Sequence, residues 1–211
     1  FYELFFEDAI KASAALNITL TSRGKHLEQR IPMCGVPVHS ADNYLLSLIK
    51  KGFKVAVCEQ MENPAEAKKR GYKAIVKRGV VRLVTPGTLT EESLLSAHEH
   101  NFLSAFFEIR GKCAFAWVDI STGDFRIKSI EKKHLGALIS RLAPKEILVS
   151  EKIENDLPEV LHSLEVSITP LSNLMFESTG AEERVCKLYK VNTLDGFGTF
   201  GRVEIAAINA I

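Results

Sequence analysis

The stretch NFLSAFFEIRGKCAFAWVDISTGDFRIKSI, residues 101–130, decides the fold of the larger half of the chain. It holds three runs rich in aromatic and aliphatic residues, NFLSAFFEI, KCAFAWVDI and DFRIKSI, parted by the turn signals RGK and STG. Strand-length runs of that composition, joined by two or three turn residues, predict consecutive antiparallel strands, a meander. The single tryptophan, Trp117, lies in the middle run.

Downstream of the meander, helical and extended patterns alternate. The spacing predicts a helix over 132–142, a strand EILVS (146–150), a helix near 157–164, a strand VSIT (166–169) and a helix around 182–189. Three antiparallel strands followed by alternating helix and strand is the order of a ribonuclease H-like sheet. The final RVEIAAINAI (202–211) starts a helix with no stop signal, and the chain opens without a methionine. A longer protein is expected, with 201–211 beginning a helix of its next domain.

Upstream, TLTEESLLSAHEHN (88–101) is polar and weakly periodic, and the charge balance changes sign there. Residues 1–90 carry 14 Lys and Arg against 8 Asp and Glu, a charge of +6; residues 91–211 carry −5, which leaves the chain at +1. A basic half beside an acidic one predicts that the first meets a polyanion and the second does not. Domains are expected over 1–90 and 98–200, with 91–97 as linker.

The first domain reads as a small mixed α/β unit. FYELF (1–5) has the pattern of a strand, with Phe1, Glu3 and Phe5 on one face and Tyr2 and Leu4 on the other. A helix over 7–16 and a strand ITLTS (18–22) follow, then SRGKHLEQR (22–30) as a polar, basic loop. IPMCGVPVHS (31–40), with Pro32 and Pro37 around Gly35, reads as a stiff connection that cannot continue a sheet ladder. A helix capped by Ser40 carries Ala41, Leu45, Leu48 and Ile49 on one face, and FKVAVCEQ (53–60) returns as a strand. Asn63 caps a short helix that begins at Pro64 and ends in Lys68, Lys69 and Arg70. KAIVKRGVVRLVTPGT (73–88) is a strand region stopped by Pro86 and Gly87.

Composition narrows the function classes. Hydrophobic residues make up 46% of the chain, enough for real cores, yet no apolar run approaches the roughly 20 residues that span a bilayer. Neither a secretory nor a transit segment is visible, and no membrane association is expected. Cys34, Cys58, Cys113 and Cys186 are scattered without a CxxC pair, which reads as reduced, buried thiols of a cytoplasmic protein rather than a zinc or disulfide framework. The sequence holds no GxxxxGK[ST] phosphate loop. Its histidines, His26, His39, His98, His100, His134 and His162, show no ligand spacing.

Two function classes remain. A ribonuclease H-like order invites a metal-dependent nuclease, which needs carboxylates converging on metal ions about 4 Å apart. Glu108, Asp119 and Asp124 are the candidates, although the two aspartates flank the STG turn, where acidic residues are ordinary hairpin chemistry. The other class is a sensor of nucleic acid. FYELF (1–5), IPMCGVPVH (31–39), VAVCEQ (55–60) and VVRLVTPGT (80–88), in this order and spacing, resemble the N-terminal part of the MutS family of DNA mismatch-repair proteins. The resemblance continues through TEESLL into FAWVDISTGDF and so covers essentially the whole chain.

That resemblance implies a mismatch-recognition domain followed by a ribonuclease H-like connector without nuclease activity. It implies that Phe1, the aromatic of a Phe-x-Glu motif, wedges into the minor groove and stacks on a mispaired base, while Glu3 hydrogen-bonds that base. The Gly-Asp pair that usually precedes the motif in the family is absent here. The energetics suit such a role. Kinking and unstacking a duplex costs a few kcal/mol per base step, and aromatic stacking returns on the order of 1 to 3 kcal/mol. Those terms nearly cancel on sound duplex and favour binding where a mismatch has already forfeited pairing and stiffness. A carboxylate among phosphates is repelled unless it gains a hydrogen bond or takes up a proton, so Glu3 penalises perfect duplex.

Arg82, Arg78 and Lys77 are the expected phosphate contacts, with Arg82 foremost because it stands inside VVRLVTPGT. Lys68, Lys69 and Arg70 read either as further contacts or as a solvated helix end. Met33 reads either as a second apolar probe of the groove or as a buried residue. The resemblance also implies ATP and Mg²⁺ in an ATPase domain outside these residues, homodimerisation through domains outside them, and a MutL-like matchmaker at the connector.

Overall fold

A computed structural model of the chain describes residues 1–27, 29–71, 74–90, 95, 99–153, 157, 164 and 166–211. It divides into two compact units, Phe1–Thr85 and Pro86–Ile211. Among the described residues no helix is long and apolar enough to cross a membrane.

The first unit contains β1 (Tyr2–Phe5), α1 (Phe6–Leu16), β2 (Thr21–His26), β3 (Gln29–Val36), α2 (Ala41–Lys50), β4 (Val55–Gln60), α3 (Pro64–Lys69) and β5 (Arg78–Val84). Three strands form a sheet in the order β1-β3-β2, and β4 pairs with β5 as a separate ribbon. Small side chains let α1 lie close on β3: Ala9, Ala12 and Cys34 are buried with Leu48 of α2, and Leu4 and Phe53 pack around them. Asn63 caps α3 as expected, its side-chain oxygen accepting from the Ala65 N–H at 2.9 Å.

Two expectations for this unit are corrected. SRGKHLEQR is not a loop, since Thr21–His26 is a strand and Gln29 begins the next. All six residues of β2 are exposed, so the burial that would have imposed a period of two on its sequence is missing. IPMCGV is likewise not a connection; it is the larger, C-terminal part of β3, the central strand. Pro32 is tolerated because the pairing of β1 ends at Met33, which leaves β3 a neighbour on one side only at the proline.

The second unit contains β6 (Phe102–Ile109), β7 (Lys112–Asp119), β8 (Asp124–Ile130), α4 (Leu135–Leu142), β9 (Glu146–Ser150), β10 (Ser167–Leu171), α5 (Ala181–Tyr189) and α6 (Arg202–Ala210). Its five strands form one sheet in the order β10-β9-β6-β7-β8. The β6-β7-β8 meander is antiparallel, and β9 and β10 join it in parallel. This is the ribonuclease H-like sheet expected from the meander and the alternating elements that follow it. The helix expected near 157–164 lies outside the described residues.

Alternation along the central strands sorts large from small side chains. Phe102, Phe106, Phe115 and Trp117 face α4 and bury Leu135, Leu138 and Ile139. Ala105, Ala114 and Ala116 face the other way, where the flat surface admits α6 through Val203, Ala207 and Ala210. The helix over 201–211, expected to open a further domain, thus packs on this sheet, with six of its residues buried.

Of the four cysteines, Cys34 and Cys113 are buried, Cys186 is half-buried and Cys58, expected to be buried, is exposed. Cys58 lies on β4, which belongs to a two-stranded ribbon too small to cover both of its faces.

Candidate nucleic-acid interface

The outer face of β1 is built by strand alternation. Tyr2 and Leu4 turn inward, whereas Phe1, Glu3 and Phe5 are exposed, Phe1 to 81%. Antiparallel pairing sets Glu3 opposite Gly35 and Phe5 opposite Met33. Gly35 lets the β1 backbone approach closely at Tyr2, while Glu3 and Phe1 lie over it at ordinary contact distance. A Cβ there would lie 3.1 Å from the Tyr2 carbonyl oxygen, 3.7 Å from Glu3 Cγ and 3.8 Å from Phe1 Cδ1. Met33 sits half-buried beside Phe5 on this outer face, between its two expected roles.

Glu3 is held by a residue that sequence reasoning missed. Arg23 Nη1 donates to both carboxylate oxygens, at 2.7 and 2.9 Å. Its only sequence signal is the β-branched run ITLTS continuing into SRG, which a basic loop obscured.

Tyr2 ties β1 to the second ribbon, its hydroxyl donating to Glu59 on β4. That bond, with burial, raises the Tyr2 phenol above its usual value. A raised value stabilises the protonated folded form, so this contribution is complete below pH ~10 and is lost as pH rises through the Tyr2 value. Tyr2→Phe is expected to cost about 1 kcal/mol at neutral pH and to remove the alkaline dependence, as measured by urea unfolding at pH 7 and above pH 10.

The ribbon supplies the cations. The register of β4 and β5 shifts between Val57 and Cys58, so Arg82 pairs with Val57 while Val80 pairs with Cys58. The extra residue, Val81, puts Arg82 on the face shared by Val57 and Glu59, near enough to Tyr2 to act on its phenol. One open cleft of about 880 Å³ is lined by Phe1, Tyr2, Glu3, Arg23, Glu59, Arg78 and Arg82, among others. Phe1, Glu3, Arg78 and Arg82 are thereby brought together. Lys77 and Met33 do not line the cleft.

Lys77 is exposed just ahead of β5, its backbone N–H donating to Glu62 at 2.6 Å. The same carboxylate takes the Arg70 guanidinium, with Nη2 at 2.6 Å. These bonds, Arg70 first, hold the Glu62 carboxyl down at about 2. Arg70 is therefore committed to a clip on the end of α3 that persists until pH falls through that value.

The carboxylates of the nuclease alternative do not converge. Asp119 faces Phe102 across the β6-β7 hairpin, and Glu108 lies six residues further along β6, about 20 Å away at ~3.4 Å per residue. Glu108 pairs with Lys132 at 2.9 Å and Asp124 with Arg126 at 2.9 Å. Burial pushes the Asp119 carboxyl up, but hydrogen bonds from Ser121, His100 and the backbone outweigh it and hold the group below its usual value. Its oxygens close the turn, accepting from Ser121 Oγ at 2.6 Å and facing His100 Nδ1 at 3.2 Å. Glu146, the remaining acid of the sheet, is buried, accepting from Thr169 Oγ1 at 2.5 Å and the Gly87 N–H at 3.1 Å. Among the described residues no group of three His, Cys, Asp or Glu could hold a metal ion.

Comparison with known proteins places both units. Residues 1–93 match the family model of MutS domain I and residues 101–211 that of MutS domain II. The chain is 57% identical over 211 residues to the DNA mismatch repair protein MutS of Roseobacter denitrificans. It is 56% identical over 212 residues to that of Ruegeria pomeroyi and 56% over 211 residues to that of Paracoccus denitrificans. In each case the match covers all of this chain and 24% of the relative's length. The chain belongs to the MutS family of DNA mismatch-repair proteins, of which it carries domains I and II.

Proposed function

We propose that the first unit senses mispaired and unpaired bases in double-stranded DNA, with Phe1 as a wedge in the minor groove and Glu3 as the group that bonds the displaced base. The observation that carries this reading is an aromatic ring exposed just ahead of strand β1, over a glycine, with a carboxylate beside it in one cleft. A base is a partner on which such a ring can stack. Arg82 and Arg78 flank the same cleft and suit phosphates, which position a protein without reading sequence. Lys77 and Met33 are peripheral contacts in this reading. Domain 1–90 does the sensing, and 98–200 is a connector that faces a MutL-like matchmaker.

The activity of the whole protein follows by the same reasoning: a cytoplasmic homodimer that couples recognition to ATP hydrolysis with Mg²⁺. The ATPase and dimerising domains lie outside these 211 residues, so no step here runs through ATP or the metal.

Glu3→Gln tests the carboxylate. It keeps one acceptor oxygen and removes the charge that holds the Arg23 guanidinium, which is then free to meet phosphates, so affinity for matched duplex is expected to rise while that for mismatched duplex changes less. The ratio of the two affinities should fall by roughly five- to tenfold, about 1 to 1.4 kcal/mol. Fluorescence anisotropy with both duplexes at a stated salt concentration checks it. An unchanged ratio removes Glu3 from the recognition step.

A further inference from the structure

Both oxygens of Glu3 are already engaged by Arg23. Arg23 Nη1 lies 2.7 and 2.9 Å from them, and among the described residues Arg23 makes no other hydrogen bond or ion pair. The pair bridges the two edge strands of the sheet, from β2 across the central β3 to β1. Arg23 lies where the β2 ladder is interrupted, between Ser22 and Lys25. Such an irregularity can re-aim a side chain. The Arg23 side chain is 65% exposed and that of Glu3 33%, so the outward part of the guanidinium faces solvent on the cleft that also contains Arg78 and Arg82.

A carboxylate held on both oxygens cannot give one to a base without loosening its partner. An exposed ion pair contributes little and is easily exchanged. A guanidinium meets phosphate oxygens in the same planar fashion as a carboxylate. We infer that Arg23 is a specificity-determining latch on Glu3: it neutralises the carboxylate off DNA and on matched duplex, and exchanges it for a backbone phosphate when a displaced base takes Glu3. This rests on the proposed reading of Glu3 as the base-bonding group. On matched duplex no base competes, the latch stays closed, and the charge that would repel the phosphates is cancelled. On mismatched duplex the released guanidinium adds one phosphate contact. Discrimination then depends on the exchange as well as on the wedge.

The test uses a protein of the relatives' full length that carries this chain. Binding of a singly mismatched duplex and its matched counterpart is measured across a salt series for wild type, Phe1→Ala, Arg23→Gln, Arg23→Lys, Glu3→Gln and the Glu3→Gln/Arg23→Gln double variant. Arg23→Gln removes the phosphate contact that the exchange adds on mismatched duplex alone, so mismatched duplex should weaken more than matched, lowering the preference roughly two- to fivefold. The salt slope should fall by about one on mismatched duplex alone. In the Glu3→Gln background, Arg23→Gln should affect both duplexes equally. Arg23→Lys keeps the charge and should restore the wild-type preference.

Equal effects of Arg23→Gln on both duplexes with Glu3 present, or a slope lowered by one on both, would make Arg23 an ordinary phosphate contact and overturn the latch. Arg23→Lys behaving like Arg23→Gln overturns it too, because charge would not be the cause. If wild type and Phe1→Ala bind the two duplexes alike, it is the base-sensing reading that has failed, and the latch fails with it.

Discussion

Phe1→Ala is expected to abolish most of the preference for mismatched duplex while leaving affinity for matched duplex nearly unchanged. The ring makes little contact within its own unit, being 81% exposed, so its removal costs the fold little. It lines, just ahead of β1, the cleft that also contains the Glu3 carboxylate and the Arg78 and Arg82 cations, and it is more exposed than Phe5 of the same cleft. Stacking on one base contributes on the order of 1 to 3 kcal/mol, a factor of roughly 5 to 150 in affinity. On matched duplex that gain is spent on unstacking a sound step, so wild type and variant both bind chiefly through phosphates. Titrations of the two duplexes at one salt concentration check this. A parallel loss on both would assign Phe1 to folding or general DNA affinity.

The second large effect is on stability, at a position remote from the wedge strand. Gly87→Ala is expected to destabilise the second unit by about 2 to 4 kcal/mol. The added Cβ would lie 2.8 Å from Leu103 Cδ1, 2.9 Å from Glu146 Cβ and 3.1 Å from Leu103 Cα, well inside the ~3.5 to 4.0 Å of ordinary carbon contact. Leu103 is paired on both sides, with Val118 of β7 and Glu146 of β9, so it cannot yield. Moving the loop instead stretches the Gly87 N–H bond to Glu146, a carboxylate only 1% exposed. A buried acceptor that loses a donor adds its own penalty to the overpacking. Trp117, the only tryptophan and part of this unit's core, reports the transition in urea. A midpoint equal to that of wild type would mean that the segment relaxes without cost.

The two units differ in how far their sequences disclosed them. In the second, apolar strands punctuated by RGK and STG, the first two largely buried on both faces, left little choice, and the sheet order followed from the order of elements. In the first, β1, α1, α2 and α3 carried ordinary signals, but the β2-β3 hairpin did not. β2 is exposed throughout, and Pro32 sits where the central strand has a neighbour on one side only, so local rules argued against both strands. The candidate site was legible where one residue type does the work, as at Phe1, Glu3, Arg78 and Arg82. It was hidden where two distant segments must meet. Arg23 on Glu3 and Gly35 beneath the wedge depend on strand pairing, and Glu59 under Tyr2 on packing of the ribbon against the sheet, none of which the sequence announces. The last helix misled for a related reason: α6 buries against alanines of β7 that only the folded sheet brings to it.

Insertion of the leading aromatic into flawed duplex is the central claim, and photocrosslinking tests it most directly. Benzoylphenylalanine replaces Phe1 in the full-length protein, bound to a duplex with one mismatch at a known position. Crosslinks confined to the mispaired step, and absent from the matched duplex at equal occupancy, are the expected result. Crosslinks spread evenly along both duplexes, or none to DNA in a complex that still forms, would contradict it.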